Sequence, residues 1–105
     1  MGKYQRGDVV IMPAVLTDRI GYIDRPAIVL KESNLEKKYF VLNCNTDKDK
    51  YKNSGCRIIE EGTVEFVTMG LWATTILVGT REWVKEWHIA EKIGTCPFIE
   101  QIPLV

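Results

Sequence analysis

Two short apolar runs constrain this chain more than anything else in it. Val9-Val10-Ile11-Met12 and Ala27-Ile28-Val29-Leu30 contain no polar residue, are too short for helices and are rich in β-branched side chains. Runs of that kind predict buried strands. Tyr39-Phe40-Val41-Leu42 predicts a third strand, which runs out into the polar sequence Asn43-Cys44-Asn45-Thr46. Between the first two, Pro13, Thr17-Asp18 and Gly21 mark a loop of roughly ten residues, longer than a hairpin needs.

Further along, Asp47 to Gly55 is charged and turn-rich, without periodicity. Cys56-Arg57-Ile58-Ile59-Glu60 and Thr63-Val64-Glu65-Phe66-Val67 predict two short strands about a Glu61-Gly62 turn. After Gly70, a strand beginning at Thr74 continues through Gly79 towards Trp83, and the internal glycine predicts a bulge or bend. Only Lys85 to Ile93 has helical spacing, through Trp87, Ala90 and Ile93, with Gly94 as its C-terminal cap. Pro97 and Pro103 then bracket Phe98 to Ile102, an edge strand or extended tail. Many short strands with one short C-terminal helix predict a mainly β, compact barrel. It is one domain over 1–105, with 95–105 as the tail.

Composition narrows the class without choosing a partner. An apolar fraction of 46% excludes global disorder. Fourteen basic and fourteen acidic side chains cancel, which argues against a strongly electrostatic nucleic-acid binder while leaving room for a local patch. No stretch is long and apolar enough to cross a membrane, and the apolar-rich stretch that holds Asp8 and ends at Leu16 reads as a strand and not a signal peptide. Cys44, Cys56 and Cys96 form no metal-ligand spacing, so neither a metal nor another cofactor is expected. Unpaired thiols fit a reducing cytoplasm.

The chemistry-bearing residues cluster at strand ends. Arg25 precedes the second apolar run, and Thr46 follows the third strand. A fixed cation and a hydroxyl at one rim of a small barrel suit a phosphodiester, because a guanidinium fork can hold two phosphate oxygens at once. Taken alone, Arg25 is equally explained by a surface ion pair, and Thr46 by a strand-end turn. Asn43 and Asn45 alternate with Thr46 and present amides that can read base edges. Lys48, Lys50 and Lys52 with Tyr51 between them suit phosphate contact and base stacking, although Asp47 and Asp49 offset part of that charge. Trp72, next to the Gly70 turn, is a stacking candidate, and Asp24 and Asp18 are candidate proton acceptors. The single histidine, His88, reads as a surface or packed residue.

The order Arg6-Gly7-Asp8-Val9-Val10, Arg25-Pro26-Ala27-Ile28-Val29-Leu30, Thr46, Gly70-Leu71 and Lys92-Ile93-Gly94 resembles the PemK/MazF family of bacterial toxin endoribonucleases over roughly Gln5 to Gly94. The resemblance implies a small half-open barrel of the Src-homology-3-like type, usually a homodimer. It implies metal-independent, sequence-selective cleavage of single-stranded messenger RNA by 2′-hydroxyl attack, leaving cyclic phosphate and 5′-hydroxyl ends. A cognate antitoxin protein would be the partner. Family positions fall on Arg25 and Thr46 as catalytic residues; the chain's own residues Asp24, Asn43, Asn45, Lys48, Lys50, Tyr51, Lys52 and Trp72 are the expected RNA contacts beside them. Family members often carry an acidic residue or an arginine on the later strand, and Ile76-Leu77-Val78-Gly79 holds neither. The alternative is a barrel without catalysis that binds RNA or a protein partner.

Overall fold

A computed structural model describes residues 3–15, 22–46 and 57–103. The fold is mainly β: a curled antiparallel sheet forming a half-open barrel of the Src-homology-3-like type. Its strands are β1 (Asp8–Val15), β2 (Tyr22–Ser33), β3 (Lys38–Asn45), β4 (Arg57–Ile59), β5 (Thr75–Lys85) and β6 (Glu91–Thr95). They lie in the order β4-β5-β3-β2-β1-β6, so β4 and β6 are the two edges.

The unbroken apolar runs are explained by burial on both faces of the sheet. Val9, Ile28, Leu30, Leu42 and Cys44 point into one cluster, which also takes in Met69, Leu71, Phe98 and Ile102. Their neighbours Val10, Ala27, Val29 and Val41 point into a second cluster, capped by Tyr4, Tyr39 and Ile89. Three register shifts bend the sheet. They fall at Leu30 on β2, at Ile93 on β6, and on β5 between Leu77 and Arg81, the stretch that contains Gly79.

Several elements differ from the sequence reading. The strand expected over Thr63 to Val67 is instead a helical turn, α1, at Val64–Thr68. Thr63 caps it, accepting from the Phe66 N–H at 3.2 Å and donating to the Glu60 carbonyl at 2.8 Å. At the other end Gly70 takes φ +69°, and the amides of Gly70 and Leu71 bond to the carbonyls of Val67 and Phe66. Capping at both ends outweighs the weak strand propensity of so short a segment. The loop expected between β1 and β2 is shorter than it looks, because the strands pair from Val9↔Ile28 out to Val15↔Tyr22. Pro13 is tolerated inside β1 because it lies beyond the last pairing with β6, Ile11↔Glu91, where no ladder partner is lost.

The helix expected over Lys85 to Ile93 survives only as a 3₁₀ turn at Glu86–His88, after which the chain enters β6. Gly94 caps no helix: it pairs with Val9, and a Cβ there would overlap the Met69 carbonyl group. A Cβ on Gly70 would likewise run into the Ile93 carbonyl oxygen. Helix α1 leaves the β4 edge and lands on the β6 edge, and this backbone-to-backbone contact spans the opening of the barrel. The tail is not extended either. Ile99–Gln101 forms a second 3₁₀ turn, and Phe98 and Ile102 on its flanks are buried in the core. No helix among the described residues is long and apolar enough to cross a membrane.

Gly94→Ala should therefore destabilise the domain by about 3 kcal/mol, since a methyl would meet fixed backbone and not a pliable side chain. Gly62→Ala is the control: its φ is +85° but nothing lies within 4 Å of a Cβ there, so the cost should be only about 1 kcal/mol of backbone strain. Urea unfolding midpoints of the two variants would separate these outcomes.

Candidate functional site

The rim that carries Arg25 is shaped by the residue after it. Pro26 has no N–H to give to a ladder, and the pairing of β2 with β3 begins only at Ala27↔Asn43. On the near side of that pair, Arg25 is bonded in register only to Met12 of β1, while Cys44 and Asn45 pair only with Leu77 and Ile76 of β5. The two strands thus part company at the rim. Arg25 stands on one side of the split, with Asn43, Asn45 and Thr46 on the other.

Side-chain alternation decides which of these can act together. Arg25 lies on the face of Met12 and Ala27, and Asn43 shares that face one diagonal step away. Asn45 follows on the same face and is buried at 8% exposure. Asp24 is exposed and alternates to the opposite face. Thr46 lies one residue past the end of β3 and is half-buried. Arg25 is half-buried, and among the described residues its guanidinium makes no hydrogen bond or ion pair.

Two groups that the sequence reading did not single out complete this face. Asn43 Nδ2 donates to Thr80 Oγ1 and to Glu82 Oε2, both at 3.3 Å. Glu82 sits opposite Val41, and Thr80 lies in the β5 bulge. The later strand does hold an acid and an arginine, Glu82 and Arg81, but beyond the stretch Ile76 to Gly79. The signal that would have found them was the bulge itself, which moves the polar part of β5 up the sheet. The face therefore offers a cation without a partner, an amide, an exposed hydroxyl and an exposed carboxylate along β2, β3 and β5.

The remaining expected residues stand apart. Trp72 is 48% exposed in the turn between α1 and β5. Lys48, Lys50, Tyr51 and Lys52, with Asp18, lie outside the described residues. His88 packs edge-on against Trp87, 5.8 Å between ring centres. Among the described residues no group of three His, Cys, Asp or Glu side chains is placed to hold a metal ion. Compared with protein-family models and with curated proteins, the chain matches none.

Neither described cysteine is a nucleophile at neutral pH. Burial pushes the Cys44 thiol up to about 12, and burial likewise raises that of Cys96. The native state keeps both protons while the unfolded chain loses them near the ordinary thiol value, about 8.5. The Cys44 thiol contributes its full stability below that value, and it is lost as pH rises towards 12. Alkylation of Cys44 at pH 8 should accordingly follow the rate of global unfolding, as mass-resolved labelling against urea concentration would show.

Proposed function

We propose that this barrel is a metal-independent endoribonuclease that cuts single-stranded RNA at the split rim of β2 and β3. The observation that carries the reading is a half-buried arginine without a partner among the described residues, on one sheet face with an amide-held carboxylate. In the proposed reaction the substrate's own 2′-oxygen attacks phosphorus and the bond to the 5′-oxygen breaks. Glu82 takes the 2′-hydroxyl proton, and Asn43 keeps that carboxylate in place. Arg25 holds the two non-bridging oxygens as negative charge builds on the phosphorane. The hydroxyl of Thr80 adds one neutral hydrogen bond on the same face, and Thr46 supplies a second at the end of β3. The departing 5′-oxygen is protonated from solvent.

The chain order that resembles the PemK/MazF family supports the same reading. It carries with it a homodimer that completes the groove, a cytoplasmic toxin and a cognate antitoxin. Glu82 takes the place of Asp24 and Asp18 as proton acceptor, because it shares the face of Arg25 while Asp24 alternates away from it.

Loss of Arg25 should remove about 2–4 kcal/mol of transition-state stabilisation, and Arg25→Ala should slow cleavage roughly thirtyfold to thousandfold. Arg25→Lys should recover little, since the charge stays but the fork is lost. Glu82→Gln should slow cleavage on the order of a hundredfold or more, since an amide cannot take the proton. The assay is cleavage of a mixed-sequence single strand in EDTA, with product ends tested for cyclic phosphate. Cleavage only on addition of metal, or full activity in Arg25→Ala, would rule the mechanism out.

A further inference from the structure

We propose that the end of the sheet opposite Arg25 is a second nucleic-acid contact, a basic and aromatic track for single-stranded RNA. It begins in a cleft of about 370 Å³ whose walls include Lys3, Lys37, Lys85 and Trp87. Arg25 lies at the start of β2 and the Asn34–Lys37 turn follows its end. The two sites are therefore separated by roughly 25 Å of extended strand.

The acids of this cleft are already committed. Glu86 accepts the Tyr39 hydroxyl at 3.0 Å, and Glu36 pairs with Lys38 at 2.7 Å. Among the described residues the ammonium groups of Lys37 and Lys85 form no ion pair. Lys37 is fixed in place: it adopts φ +50°, and its carbonyl accepts the Glu86 N–H at 2.9 Å, tying the hairpin turn to the Glu86–His88 turn. The indole of Trp87, in that same turn, is 81% exposed. A core or capping role would bury it.

The track continues along β5. Trp83 is 42% exposed and leans on Phe40, 5.2 Å between ring centres. Lys38 lies 5.0 Å over the Trp83 ring, and Lys31 lies 5.0 Å over Phe40. Trp83, Lys85 and Trp87 thus interleave two exposed indoles with a cation. Flat rings bounded by ammonium groups match the alternating bases and phosphates of a single strand, and stacking on them needs no particular base. An acidic protein segment would satisfy the cations but leave both indoles in water.

The track is testable apart from the proposed chemistry with an RNA whose 2′-hydroxyls are methylated, which offers no attacking oxygen and stays intact. The probe is a labelled uridine homopolymer, followed by fluorescence anisotropy. Trp87→Ala should weaken its binding about tenfold, as loss of one stacked base does. The pair Lys37→Gln and Lys85→Gln should flatten the dependence of log affinity on log salt by about 1.4, two phosphate contacts at about 0.7 each. All three side chains are exposed, so the variants should keep the parent's unfolding midpoint. Unchanged affinity and salt slope in both variants would overturn the track, whether or not the wild-type protein cuts RNA. Binding of polyglutamate in preference to the RNA would overturn it too, in favour of a protein partner.

Discussion

The fold turns on one guanidinium. Arg6 donates to the carbonyls of Leu30, Ile99 and Ile102 at 3.1, 3.0 and 3.1 Å. Leu30 is the extra residue of the β2 bulge, and the other two carbonyls flank the C-terminal 3₁₀ turn. One side chain thus ties the place where the sheet bends to the segment that covers its inner core. The corner around it is equally fixed. Gly7 turns through φ +96°, its N–H bonds to Val29 and its carbonyl accepts from Cys96. Asp8, buried at 4% exposure, accepts the Gln5 N–H and pairs with Lys92 of β6 at 3.1 Å. A planar fork with several donors can serve three carbonyls at once, which a lysine cannot do. Arg6-Gly7-Asp8, prominent in the sequence order, is therefore architecture.

Curvature and the candidate site come from the same devices. Pro26 ends the β2–β3 ladder and frees the rim, and the β5 bulge carries Thr80 and Glu82 onto the face that Asn43 occupies. A flat sheet with an unbroken ladder would bury Arg25 between paired neighbours and leave its guanidinium no room for a phosphate. Local irregularity that weakens the sheet is thus what opens a polar face on an otherwise apolar surface.

The strands with strong apolar runs were legible because burial on both faces leaves no ambiguity of period. The β5 bend was legible from Gly79, and the stop of the β2–β3 ladder beside Arg25 from Pro26. What could not be read depended on contacts distant in sequence. Thr63 and Gly70 bracket α1 in plain view, but the β-branched and aromatic residues Val64, Phe66 and Val67 spoke for a strand, and only the caps and the landing on Gly94 decide the matter. Gly94 read as a helix cap because nothing local reveals that Met69, far away in the chain, lies against it. Glu82 was missed for a related reason: its partner Asn43 is brought to it by a bulge whose extent no pattern discloses.

The arginines, taken together, sharpen the reading of the rim. Arg6 is spent on three carbonyls. Arg57 lies 3.6 Å over the Phe98 ring and reaches Gln101 at 3.4 Å, and Arg81 donates to the Pro103 carbonyl at 3.5 Å. Three arginines from three different elements thus hold the same C-terminal turn over the core. Arg25 has no protein acceptor among the described residues, and its guanidinium nitrogens stay open to water. Among the described arginines Arg25 differs in this, and it stands where the β2–β3 ladder stops. On the proposed function, the acceptor of that fork is the phosphate of a bound strand and not the protein.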